Sequence, residues 1–172
     1  MATTSTVAVA VDRDWIGVEF AKGIDAEHSL AANAKARAES PPDPTLGVLY
    51  HEIAAADERH VVIVETVAAR YGHTPSRSVS GGVGETLGRL RDKVVGMSSS
   101  PLDFLSHDLT SKSLAIHWYI AWVHAFEAIG DTESSKELAA VLNEEKTHLE
   151  ALQQAFNRML EQHARAEIPA AK

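Results

Sequence analysis

Two acid-x-x-His pairs, Asp57-Glu-Arg-His60 and Glu145-Lys-Thr-His148, are the residues of this chain best suited to chemistry. On an α-helix, positions i and i+3 project side by side, so each pair offers a carboxylate and an imidazole to a common point. Those donors together suit a transition-metal ion. An inward-facing pair of this kind on each of two helices, with a further acid from each of the others, is one way a helical bundle builds a two-metal centre. Chance placement of 24 acids and 9 histidines gives about one such pair, and the chain has three, the other being Asp25–His28. Helix face and helix height therefore have to separate ligands from coincidence.

The elements that must position these residues are four long helices. The first is expected from about Asp14 to Glu39, with an apolar stripe of Ile16, Phe20, Ile24, Ala31, Ala34 and Ala38. Ser-Pro-Pro-Asp-Pro ends it, and Asp43 with Pro44 starts the second, which runs to about Tyr71 and stops at Gly72. Its inward residues are Leu49, Ile53, Val64 and Val67. Residues 73–100 form a crossover with a short amphipathic helix at about 83–97. The third helix opens at Pro101 and stops at Gly130. The fourth starts at the capping-box spacing Ser134-Ser-Lys-Glu137 and carries Leu138, Val141, Leu142, Leu149, Leu152, Phe156 and Leu160 inward. The expectation is an all-α single domain over 1–172, an antiparallel four-helix bundle, with the first ~12 and last ~8 residues flexible.

Face and height single out one set. Glu27 continues the first stripe between Ile24 and Ala31. Asp57 and His60 lie between Ile53 and Val64, and Glu145 and His148 between Leu142 and Leu152. Each is an ionisable group at a core position, where an unpaired charge costs several kcal/mol, and one metal centre would satisfy all five. Positions equidistant from a hairpin turn lie side by side. That places Glu27 beside Asp57, and His117 beside Thr147 near Glu145 and His148. His117, in line with Leu114 and Ala121, is the ionisable group expected to reach the site from the third helix. His124 lies too far along. Glu58, Glu65, Asp25 and His28 are expected at solvent, and His51, His73, His107 and His163 on the surface or in loops. Trp118, Tyr119 and Trp122 are expected to pack in the core or at an interface.

Composition excludes several functions. There are no cysteines, so disulfides, zinc–thiolate sites and thiol catalysis are absent. A formal charge of -8 argues against nucleic acid or an anionic membrane as partner. No uncharged apolar run approaches the ~20 residues of a membrane span, and the first residues lack a basic, then apolar, leader pattern. A cytoplasmic protein is the expectation. Gly81-Gly-Val-Gly84 lacks the Lys-Ser/Thr of a phosphate loop, and no nucleophile elbow is present.

These residues resemble the ferritin-like superfamily, most of all its small YciE/YciF-type bacterial stress proteins. The likeness spans roughly Ile16 to Phe156 and rests on Asp25-Ala-Glu-His-Ser-Leu30, on the spacing from Glu27 to Asp57, and on Glu144-Glu-Lys146. It implies a carboxylate-bridged two-metal site with Glu27, Asp57, His60, Glu145 and His148 as ligands. Iron is the implied metal, with zinc or manganese as substitutes, and a homodimer the expected assembly. If the metal is iron, O₂- or peroxide-dependent oxidation in stress protection is the implied role. One departure stands out: such proteins supply a Glu from the third helix, where this chain has Ala115-Ile-His-Trp118. His117 then either replaces the Glu or the second half-site is incomplete. The main rival is a metal-free helical interaction protein whose acids and histidines pair as buried salt bridges. An oxidase acting on an organic substrate is a third possibility.

Overall fold

The computed structural model describes residues 13–72 and 100–166. They form α1 (Arg13–Glu39), a 3₁₀ turn (Pro44–Leu46), α2 (Gly47–Arg70), α3 (Pro101–Ala128) and α4 (Thr132–Ala166). The chain ends, the short helix expected at about 83–97, His73 and the Gly81–Gly84 run lie outside the described residues.

Each boundary has a local cause. Asp43 Oδ1 accepts from the Thr45 amide at 2.8 Å, and Pro44 sits just inside the 3₁₀ turn. Ser100 Oγ accepts from the Asp103 amide at 3.2 Å ahead of Pro101. Gly72 and Gly130 both adopt φ 78°, the left-handed conformation that ends a helix without a Cβ penalty. The start of α4 differs from the capping-box expectation. Asp131 is the side-chain cap, its Oδ1 accepting from the Ser134 amide at 3.0 Å, so the helix begins at Thr132 and Ser134 is already inside it. Tyr71 donates to Asp131 Oδ2 at 2.6 Å and ties the end of α2 to the start of α4.

α1 packs along α2 and α3 along α4, and the two hairpins meet through α2 against α4 and α1 against α3. Two apolar clusters fill the bundle. One contains Phe20, Ile24, Val64, Val67, Tyr119, Trp122, Phe126, Leu138 and Val141. The other contains Ala34, Ala38, Leu46, Tyr50, Ile53, Leu105, Leu152 and Ala155. On every helix the buried ionisable residues fall between members of the two clusters: Glu27 on α1, Asp57 and His60 on α2, Lys112 on α3, Glu145 on α4. A charged layer is thus clamped between two apolar ones. Each large apolar side chain buried in them contributes about 1.5–3 kcal/mol, which offsets the cost of dehydrating the charges.

Two expected orientations differ. Leu160 is 49% exposed. On α3 the inner line is Leu105, Lys112, Ala115, Tyr119, Trp122 and Phe126, not Leu114, His117 and Ala121. Leu114 is 40% exposed. The large aromatic residues decide the rotation of this helix. Trp122 seats its ring against Gly23 of α1, where a Cβ would overlap the ring, and it stacks edge-on with Tyr119 at 5.3 Å.

Candidate metal centre

Four elements deliver the charged layer. Glu27 is 2% exposed, Asp57 0%, His60 1%, Lys112 3% and Glu145 0%. Lys112 is absent from the sequence expectation for the site, yet it lies at the middle. Its ammonium donates to Asp57 Oδ1 at 2.6 Å and to Glu145 Oε1 at 2.7 Å. His60 Nδ1 lies 3.0 Å from the same Glu145 oxygen, and His60 Nε2 lies 3.1 Å from Glu144 Oε2. Ionised carboxylates only accept, so both ring nitrogens donate and His60 is an imidazolium. Glu144 is half exposed and also accepts from Arg59 at 3.0 Å, linking the layer to the surface.

The ionisation states follow from this arrangement. Burial opposes the charge of Lys112, but Asp57 and Glu145 outweigh it and hold its pKa above the ordinary lysine value. Burial likewise opposes a charged His60, and the hydrogen bond from its ring to Glu145 wins, so its pKa is raised. For Glu145 burial pushes upward, but His60 and Lys112 hold the carboxyl well below its usual range. Burial pushes Asp57 upward against the pull of Lys112, with Glu145 adding to the rise. Among the described residues Glu27 has no ion pair, and burial with the nearby Glu145 and Asp57 outweighs the pull of Lys112 and raises it to about 7. The Tyr119 hydroxyl is close enough to Glu27 to lower that value a little, but neither it nor Glu27 Oε2 makes a hydrogen bond of normal geometry.

Asp57, His60 and Glu145 each place a potential ligand atom within 4.8 Å of the others, which is close enough for one metal ion. Glu27 and His148 flank that group without joining it. His148 is partly buried, and burial with the positive charge of Lys112 lowers its pKa, leaving it neutral. Among the described residues, Glu27 Oε2, Asp57 Oδ2, Glu145 Oε2 and His148 Nδ1 are buried with no hydrogen-bond partner. Four orphaned acceptors in one polar layer are what a bound cation would satisfy. A cavity of about 20 Å³, room for one water, reaches Asp57 and Lys112 from the side of Tyr50, Asp108 and Arg37.

His117 is corrected. It is exposed, and its Nδ1 donates to the Ser113 carbonyl at 2.7 Å on its own helix, because α3 is turned to bury Tyr119 and Trp122. The third helix reaches the layer through Lys112 instead, one turn earlier. Its signal in the sequence was the seven-residue spacing Leu105, Lys112, Tyr119, Phe126. His107, expected at the surface, is largely covered and faces Asp108 at 3.4 Å. Exposed His28 pairs with Glu65 at 2.9 Å, and exposed His124 with Glu127 at 3.4 Å, both away from the layer.

One solved structure decides the fold: a ferritin-like, diiron-carboxylate protein from Bacillus anthracis str. Ames superposes with a TM-score of 0.68 over 86% of this chain and 99% of that one. The chain has a ferritin-like fold. Identity to that protein is 14%, so the likeness is one of fold alone. No known family matches the sequence and no curated protein does. Within this ferritin-like bundle the residues do not fit two metal ions. An ammonium at 2.6–2.7 Å from two of the carboxylates occupies space and charge that a second cation would need. They do fit one ion, through the Asp57, His60 and Glu145 group and the unpartnered oxygens beside it. No helix among the described residues is long and apolar enough to cross a membrane.

Proposed function

We propose that this protein is a ferritin-like metal-binding protein holding one divalent transition-metal ion in the middle of its bundle. The observation that carries it is the convergence of Asp57, His60 and Glu145 within 4.8 Å in a fully buried layer that leaves four acceptor atoms unpartnered. Asp57, Glu145 and His60 would hold the ion, with Glu27 and His148 beside them. A mixed carboxylate and imidazole set suits iron, with zinc and manganese as substitutes. When iron is bound it supplies redox chemistry toward O₂ or peroxide, consistent with the stress-protection role implied by the likeness to YciE/YciF-type proteins.

The protein's own groups have defined tasks in such a site. His60 has to release a proton before its nitrogen can ligate. Glu144, hydrogen bonded to His60 Nε2 and half exposed, is placed to take that proton to solvent. The apolar clusters on either side exclude bulk water from the layer. Glu27, close to neutral pH in its titration, releases its proton when a cation arrives and adds a negative charge.

A second reading has its own support. Lys112 and His60 already neutralise Asp57 and Glu145, so the layer is also a self-contained ionic network that needs no metal. Elemental analysis separates the two. Protein purified without chelator should carry metal, and Glu145→Ala or Asp57→Ala should lose it while Glu58→Ala and His124→Ala keep it. Metal-free wild-type protein that also fails to take up zinc, manganese or Fe(II) would leave only the ionic network.

A further inference from the structure

The position of Lys112 bears on how many ions the site holds. In a carboxylate-bridged pair of metal ions, each bridging carboxylate gives one oxygen to each cation. Here the Lys112 ammonium takes Asp57 Oδ1 and Glu145 Oε1 at 2.6 and 2.7 Å, the first oxygen of each of two carboxylates from different helices. The second oxygens, Asp57 Oδ2 and Glu145 Oε2, are buried and unpartnered. Lys112 thus stands to these carboxylates as one cation of a bridged pair, and the second oxygen of each is left unpartnered.

We propose that Lys112 is a built-in cation that replaces one of two metal ions, so that Asp57 and Glu145 are left to hold a single ion. This rests on the metal site proposed above. Three features of the layer agree with it. Lys112 is 3% exposed and comes from the middle of a 28-residue helix, so its backbone is fixed by the bundle. Both of its hydrogen bonds run to carboxylates, which an ammonium satisfies at the same points where a metal would. Glu27 Oε2 and His148 Nδ1, buried and unpartnered nearby, add one further acid and one neutral imidazole to the donors for that ion. A monovalent ammonium in place of a divalent ion also matches a layer with three carboxylates from α1, α2 and α4, where four would be required to balance two divalent ions.

The test is a count of metal per chain. Full-length protein stripped with chelator is dialysed against excess zinc, manganese or anaerobic Fe(II), and bound metal is measured by native mass spectrometry and elemental analysis. The wild type should bind one ion; Lys112→Glu, which removes the ammonium and supplies a fourth carboxylate, should bind two, while Lys112→Met, left with three carboxylates, should stay at one. The apo forms of both variants should also melt below the wild type, because Asp57 and Glu145 lose their counter-ion, and added metal should raise their melting temperature more than it raises the wild type's. Two ions in the wild type, or one ion in Lys112→Glu, would overturn the role of Lys112 while leaving the metal site intact. No ion in the wild type, whatever the variants do, would overturn the metal site itself. Should the variants fail to fold, a wild-type count of two would still overturn the role of Lys112, since two ions cannot coexist with the ammonium in place.

Discussion

Lys112 Nζ and Glu145 Oε1 lie 2.7 Å apart at the centre of the bundle, both almost fully buried. This contact joins α3 to α4 at the height of Glu27, Asp57 and His60. It converts what would be a cluster of repelling carboxylates into a bonded layer.

Removing Lys112 from metal-free protein should therefore be costly. Breaking a buried ion pair by deleting one partner typically loses about 3–5 kcal/mol, because the other charge stays buried and uncompensated. Lys112→Met in chelator-containing buffer is expected to lose stability in that range by urea denaturation. A loss below about 1 kcal/mol, within the range of exposed pairs, would show that the ammonium is not buried in solution.

His117 serves as the counterpart. It is exposed, and among the described residues it bonds to its own helix, so His117→Ala should change stability by less than about 0.5 kcal/mol. Metal content should stay at the wild-type level. A drop comparable with that of Glu145→Ala would return His117 to the site and require α3 to be turned differently.

Glu27 should mark the pH profile. Its carboxyl titrates near 4.5 when unfolded and at about 7 in the folded chain. Between those values the native state binds more protons than the unfolded state, so the Glu27 contribution to stability falls as pH rises from 4.5 to 7. Below 4.5 both states are protonated and the penalty vanishes. The whole change is about 3 kcal/mol at 1.36 kcal/mol per unit. In metal-free protein, Glu27→Gln should remove this slope, so the variant gains on the wild type as pH rises across that window. Parallel stability profiles for the two proteins would contradict it.

Gly23 offers a check on the rotation of α3. Alanine is the better helix former by about 1 kcal/mol, and on an isolated α1 it would stabilise. Here a Cβ would overlap the buried Trp122 ring. Overpacking of that kind costs about 1–3 kcal/mol, so Gly23→Ala is expected to lower the melting temperature. A rise would mean Trp122 does not sit against α1.

Much of this protein was legible in the amino-acid sequence because the signals are local. Pro44, Pro101, Gly72 and Gly130 punctuate the helices through their own backbone preferences. Glu27, Asp57, His60 and Glu145 interrupt apolar stripes at core positions, and burial follows from periodicity on their own helices. The rotation of α3 was not legible. That helix carries apolar residues on more than one face, with Leu114, Ile120 and Ala121 outside and Tyr119, Trp122 and Phe126 inside, so a 3.6-residue period fits two stripes. Only contact with Gly23 and the other helices selects the aromatic one. A lysine read along a single helix is a solvent-facing residue. It becomes a buried cation only because two other helices bring Asp57 and Glu145 to within hydrogen-bonding distance, and that convergence exists in the tertiary structure alone.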